Sequence, residues 1–254
     1  MDFSRIENGL NSLKGKVGFY YEDLSSGENF GVNDGEAYIA ASVIKIPVLI
    51  EAYRQFEEKT ISQDELIDIK REDRMPSCGA AAYLHDGIRL TLEDLCVLMI
   101  ILSDNTAANI LIKKLGMENI NHTAAAAGLE KTRVNRLLFD EAAEAAGRSN
   151  CIAPREIARL FRLMWQGRLV SEAASREMLE ILKLQQINHK MPSMLPEDVC
   201  VAHKTGEDEG ITHDAGIVYA ARPFILCFAS SGTDVVETEQ FIRTTARMIY
   251  DEQC

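Results

Sequence analysis

Nothing in this sequence gathers positive charge. Its 27 lysines and arginines are outnumbered by 39 acidic residues, for a formal net charge of -12. No nucleic-acid partner is expected, because proteins that bind polyphosphate collect Lys and Arg on one face. The acidity reads as a solubility device. Long apolar runs are missing too: no stretch reaches the roughly 18–20 apolar residues of a membrane span, so none is expected. The opening residues, MDFSRIENGLNSLKGK, lack a basic segment, an apolar segment and a small-residue cleavage site. That implies a cytoplasmic location for the chain as written, or secretion if a leader has been removed. The six cysteines, Cys78, Cys96, Cys151, Cys200, Cys227 and Cys254, include no C-x-x-C pair and have no histidines close by. They imply no zinc pattern, no metal and no cofactor, and free thiols in a reducing compartment are the expectation. Cys96 and Cys227 lie in apolar runs and read as small core residues. Internal repeats and low-complexity tracts are absent.

What is present reads as a soluble globular protein, since 46% hydrophobic and 26% charged residues suffice for a sizeable core. Phe3, Ile6, Leu10 and Leu13 fall at helical spacing before Gly15, so a helix opens the chain. KVGFYYEDL reads as a strand, SSGE as a turn and NFGVN as the partner strand of a hairpin. Ser42 opens the next helix, and Pro47 inside its second turn must distort it or shift its start. From there to about residue 186 the pattern is helical. Ser62 with Glu65, and Thr91 with Asp94, read as capped starts, and Gly116 after Lys113 and Lys114 reads as a stop. Pro154 begins a helix carrying Ile157, Leu160 and Met164, which Gly167 breaks. Residues 132–154 carry weaker signals and read partly as loop.

Alternation returns in DVCVAHKTG, HDAGIVYAA and PFILCFASS, three consecutive strands of an antiparallel meander. A closing helix puts Phe241, Ile242, Thr245, Met248 and Ile249 on one face. The expected fold is α+β: an antiparallel sheet formed from both chain ends and flanked by helices, with an inserted all-helical lobe. A single domain over residues 1–254 is expected, its α/β lobe at about 1–50 with 187–254 and its helical lobe at about 51–186. The oligomeric state is open, with a monomer as the default.

One short run poses a chemical question. AASVIKIPVLI is almost wholly apolar, yet it holds Ser42 and, three residues on, Lys45. Spaced i and i+3 on a helix, the two share a face, so the amine can reach the hydroxyl. Surrounded by Val43, Ile44, Ile46 and Val48, the charged form of the lysine is disfavoured, which is how an amine becomes a base near neutral pH. An isolated Ser-x-x-Lys is more often a surface helix with a snorkelling lysine. Here two further motifs follow in order: Ser-Asp-Asn at Ser103 to Asn105, by itself only a helix-cap signal, and Lys-Thr-Gly at Lys204 to Gly206, by itself only a strand end.

That ordered set resembles the serine β-lactamase and penicillin-binding DD-peptidase family, in its class A form. DGIRLTLEDLCVLMIILSDNTAANILIKKLG resembles the family's central helical segment and ASVIKIPVL its nucleophile helix, so the likeness spans nearly the whole chain. The resemblance implies a serine hydrolase acting on a small β-lactam or related acyl substrate. Ser42 would be the acylated nucleophile and Lys45 the amine that accepts its proton. Ser103 would pass a proton to the leaving nitrogen, and Asn105 would bond the substrate's amide side chain. Lys204 would polarise Ser103 and attract a substrate carboxylate, with Thr205 as a hydroxyl donor beside Gly206. The backbone N–H groups of Ser42 and Glu207 would form an oxyanion hole, worth about 10²–10³ in rate per donor.

The sequence departs from the pattern in two places. The family's deacylating glutamate would fall near Leu138, counting from Arg136, and no Glu-x-x-Leu-Asn occurs. Asp140 is the preferred substitute, with Glu141 and Glu144 behind it, and all three could equally be solvated helix residues. Asn150 stands where an aspartate would brace Arg136. Nine residues after Lys204, where many members place an arginine for the substrate carboxylate, this chain has His213, either in that subsite or structural. His85, His122 and His189 read as surface or packing residues. A slowly hydrolysed acyl-enzyme therefore stands beside two other readings: an esterase, amidase or peptidase on the same fold, and a non-catalytic penicillin-binding sensor.

Overall fold

The structure, a computed structural model, describes residues 3–254. From the N-terminal side come α1 (Ser4–Ser12), β1 (Lys16–Asp23), β2 (Asn29–Val32), β3 (Tyr38–Ile39) and α2 (Lys45–Glu57). The middle of the chain supplies β4 (Leu66–Asp68), β5 (Arg89–Thr91), α3 (Leu92–Ile101), α4 (Asn105–Leu115), α5 (Met117–Ala126), α6 (Glu141–Ala145), β6 (Cys151–Ile152), α7 (Pro154–Trp165) and α8 (Glu172–Lys183). The chain closes with β7 (Val201–Asp208), β8 (Ile211–Val218), β9 (Phe224–Ser231) and α9 (Val235–Gln253).

Five strands form one sheet in the order β2-β1-β9-β8-β7, every pair antiparallel. The expected meander thus meets the expected hairpin through β1 and β9, and both chain ends build one sheet. Its central strands read as unbroken apolar runs because both faces are covered. Phe19, Tyr21, Phe224 and Phe228 turn towards Ile6 and Leu10 of α1 and Ile242, Ala246 and Ile249 of α9. Tyr20, Ile225, Cys227 and Ala229 turn the other way, into the larger core with Ile157 and Phe161 of α7 and the apolar residues of α2 to α5.

The helical middle follows the capping signals closely, with one exception. Thr91 caps α3 through a reciprocal box with Asp94, Gly116 ends α4 at φ 84°, and Pro154 is the first residue of α7. The expected helix start at Ser62 does not form. Residues 62–91 instead carry 3₁₀ turns and a β4–β5 pair that takes up Leu66–Asp68 against Arg89–Thr91, and Pro76 with the positive-φ glycines Gly79 and Gly87 interrupts any helical run between the two strands. Among the described residues no helix is long and apolar enough to cross a membrane. No disulfide forms among them, and Cys96 and Cys227 are buried.

Candidate active site

Pro47 settles where α2 begins. A 3₁₀ turn over Ala41–Ile44 precedes it, and α2 proper starts at Lys45, which puts the proline in the first turn, where a missing N–H costs nothing. Ser42 therefore sits on the tight turn, and Lys45 points back at it. The Lys45 Nζ lies 2.9 Å from Ser42 Oγ, 2.7 Å from Asn105 Oδ1, 2.7 Å from the Ser103 carbonyl and 3.1 Å from Ser103 Oγ. The side chain is wholly buried. Burial, and then the neighbouring Lys204, hold its amine well below the usual lysine range. A neutral amine has two N–H donors, and the Asn105 and Ser103 carbonyl oxygens can only accept. Those two N–H bonds leave the lone pair free to accept the Ser42 hydroxyl proton.

Ser103 is held in the left-handed region at φ 54°, a conformation that costs a non-glycine residue free energy and must be fixed by its surroundings. Asp104 does the fixing. Its Oδ1 accepts the Ala107 N–H at 2.9 Å, capping α4. Its Oδ2 accepts the Ala80 and Ala81 N–H groups at 2.7 Å each. Asn105 opens α4 and donates from Nδ2 to the Pro76 carbonyl at 3.1 Å, so its Oδ1 is oriented towards Lys45.

From the sheet side, the wholly buried Lys204 donates to Ser103 Oγ at 3.0 Å and to the Thr205 carbonyl at 2.9 Å. Burial, and then the Lys190 ammonium, bring it down to about 7. Ser103 Oγ thus lies between two buried amines, and Lys204 disfavours the charge of Lys45. Gly206 sits at a close approach. A Cβ there would stand 3.2 Å from Ala41 Cβ, Val43 Cγ2 and His213 Cδ2, so a side chain would have to push the nucleophile turn back by a few tenths of an ångström. Ser42, Asn105 and Glu207 share the lining of one cleft of about 480 Å³, with Leu138, Phe139, Glu141 and Glu144 along another wall.

Two expected residues lie elsewhere. Asp140 does not line the cleft. Its Oδ1 accepts the Ala143 N–H at 2.9 Å and caps α6, the usual fate of an aspartate ahead of helix formers. Of the acids in that segment, Glu141 and Glu144 are the ones that reach the cleft, beside Leu138 and Phe139. His213 is buried within the sheet. Its Nε2 donates to the Ile39 carbonyl at 2.8 Å, its Nδ1 accepts the Ser230 N–H at 3.1 Å, and burial holds it down to about 4. With both nitrogens committed to the backbone, the neutral ring joins β8 to β3 and β9 and offers no free donor to a carboxylate.

The loop is braced by an amide where the family's pattern would have an ion pair, in line with the weakened ionic brace that Asn150 implied. Asn150 Oδ1 accepts the Asn135 and Arg136 N–H groups at 2.7 and 3.0 Å, and its Nδ2 donates to the Arg136 carbonyl at 3.1 Å. Arg136 pairs instead with Glu144 at 2.9 Å. Asn109 clamps Leu138 from both sides, accepting its N–H at 2.8 Å and donating to its carbonyl at 2.9 Å.

Lys190 was invisible in the sequence, since a lone lysine in INHKMPSM carries no pattern. It is wholly buried and donates to the Gly206 and His213 carbonyls at 3.1 and 3.2 Å. It also pairs with Glu207 at 3.1 Å. His189, Glu207 and Glu239 bring metal-ligand atoms within 4.8 Å of one another, but Lys190 on Glu207 at 3.1 Å and Arg243 on Glu239 at 2.8 Å already supply the balancing charge there.

Residues 3–253 match the pattern of the beta-lactamase enzyme family. A β-lactamase of Bacteroides uniformis is 25% identical, over 98% of this chain and 90% of its own length. The crystal structure of a β-lactamase from Sphaerobacter thermophilus superposes with a TM-score of 0.92 at 27% identity, covering 100% of this chain and 98% of its own. A mutant of PBP-A, solved as an acyl-enzyme complex with penicillin G, superposes at 0.88 with 26% identity, covering 98% and 94%.

Proposed function

The chain belongs to the beta-lactamase enzyme family and is a serine hydrolase of the β-lactamase type; from that premise we propose that Ser42 is the residue acylated and that its acyl-enzyme clears slowly. The observation that carries the first part is the Lys45 amine, buried and 2.9 Å from the Ser42 hydroxyl. The neutral amine takes the Ser42 proton as Oγ attacks the lactam carbonyl. The resulting oxyanion lies between the backbone N–H groups of Ser42 and Glu207. Ser103 Oγ passes its proton to the leaving nitrogen and is resupplied by Lys45 or Lys204, both within 3.1 Å of it. Lys204 and Thr205 draw the substrate carboxylate, and Asn105 receives the acyl amide.

Slow clearance is supported by Leu138. It stands where the family places its deacylating glutamate and has no lone pair with which to activate water. Two of the three acids nearby have other settings, Asp140 capping a helix and Glu144 pairing with Arg136; the third, Glu141, reaches the cleft three residues beyond the Leu138 position. The same observation favours a second reading, in which lactams inhibit and the turned-over substrate is an ester or a D-amino-acid amide. The likeness to PBP-A, a mutant of which was solved as an acyl-enzyme complex with penicillin G, supports an adduct with penicillin under either reading.

Intact-protein mass after mixing with penicillin G, sampled from seconds to hours beside a chromogenic hydrolysis assay, tests both parts. The expected result is one persisting adduct, absent in Ser42→Ala. An adduct on Ser42→Ala overturns the nucleophile, and rapid clearance with sustained turnover overturns slow deacylation. A panel of activated esters and D-amino-acid amides separates the second reading.

A further inference from the structure

We infer that the cleft selects substrates whose acyl side chain carries an ammonium group, and that Glu141 is the selecting residue. The inference rests on acylation of Ser42 as proposed above and names the substrate class for that same site.

The charges of the cleft are sorted by depth. Beneath the floor, behind the lining residues Ser42 and Asn105, lie Lys45 and Lys204, both wholly buried and joined through Ser103 Oγ. A substrate carboxylate on the leaving-group side is drawn there. Carboxylates line the walls: Glu141 and Glu144 on α6, and Glu207 and Asp208 at the end of β7. Three of these four are already engaged. Glu144 pairs with Arg136 at 2.9 Å, the one cation in the lining. Glu207 pairs with the buried Lys190 at 3.1 Å. Asp208 accepts the Glu209 N–H at 2.8 Å.

Glu141 is different. It is exposed, and no ion pair or hydrogen bond engages its carboxylate among the described residues. It stands on the wall that carries Leu138 and Phe139. With the acyl amide on Asn105, a substituent on the acyl side chain occupies the space between Asn105 and that wall. A neutral substituent leaves the charge of Glu141 uncompensated, an ammonium pairs with it, and a carboxylate is repelled. The matching substrate is zwitterionic, with its anion at the floor and its cation at the wall.

Ampicillin, penicillin G and carbenicillin share a phenylacetyl skeleton and differ in carrying an α-ammonium, an α-hydrogen or an α-carboxylate. The second-order rate of adduct formation, read by intact mass at about pH 6, where an α-amino group is protonated, compares them directly. For an exposed pair the expected advantage of ampicillin over penicillin G is about three- to fivefold, with a similar penalty for carbenicillin. Intrinsic reactivity differs among the three, so the decisive quantity is each ratio in the native protein divided by the same ratio in Glu141→Gln. That quotient is expected to be about three or more for ampicillin over penicillin G.

Raising salt from about 0.02 M to about 0.5 M should shrink the spread in the native protein as well. Ratios unchanged by Glu141→Gln overturn the inference. A spread indifferent to salt overturns it independently, even if that variant fails to fold. If none of the three penicillins forms an adduct, it is the acylation of Ser42 that fails.

Discussion

Leu138 is the residue whose chemistry fits its position least. Its backbone is fixed by the Asn109 side chain at both N–H and carbonyl, and its side chain lines the cleft that holds Ser42. That is the kind of fixture a catalytic group needs, yet an alkyl group occupies it. A carboxylate there could hold and deprotonate the water that releases an acyl group. Leu138→Glu is therefore expected to shorten the lifetime of the penicillin adduct by about 10²-fold or more, with the rate of adduct formation little changed. Following adduct mass after removal of free penicillin checks it. A lifetime equal to that of the native protein would sink the reading of Leu138 as the missing deacylation position.

The elements around the cleft differ in how far they can be read from sequence, and the difference has a physical basis. Local chemistry wrote α3, α4 and α7 plainly: the Thr91 box, the Gly116 stop and the Pro154 start each satisfy or remove a backbone group within a few residues. That Ser42, Lys45, Ser103 and Lys204 come together was legible because three spaced motifs had to agree. The 3₁₀ turn that carries Ser42 was legible only as a conflict, Pro47 inside a helix. The α6 segment could not be read, because its placement depends on contacts from distant parts of the chain. Asn109 on α4 and Asn150 before β6 hold it through side-chain to backbone bonds, and no local pattern announces such bonds. The placement of Lys190 depends likewise on carbonyls of β7 and β8. The clamp itself can be tested. Asn109→Ala strips both bonds from Leu138 and should cost about 1–3 kcal/mol, lowering the thermal midpoint by several degrees for a chain of this size. The penicillin adduct should still form, since the floor of the cleft is untouched. A midpoint within one degree of native would show that the segment is held by other means.

Across the whole molecule, the site concentrates buried amines in a chain that is otherwise acidic. Lys45, Lys190 and Lys204 are all wholly buried, and the last lies at about 7, held there first by burial and then by Lys190. A lysine that titrates near 7 when folded and near 10.4 when unfolded has a definite linkage. Between those values the unfolded chain binds more protons, so stability rises with pH across that window and is lowest at and below about 7. Function therefore opposes stability at this position. Replacing the ammonium by an apolar group of similar length should relieve the cost of burying charge. Lys204→Met is expected to raise stability at pH 7 by about 1–4 kcal/mol, to reduce the rise in stability between pH 7 and 10, and to abolish adduct formation. Lys45 shares the same direction of shift, so the slope should shrink without vanishing. Thermal or urea unfolding of both proteins across that pH range, paired with the mass assay, decides it. If Lys204→Met were less stable and kept the full native slope, the hydrogen bonds from Lys204 to Ser103 and Thr205 would outweigh the desolvation of its charge. The site would then not be maintained against a stability cost.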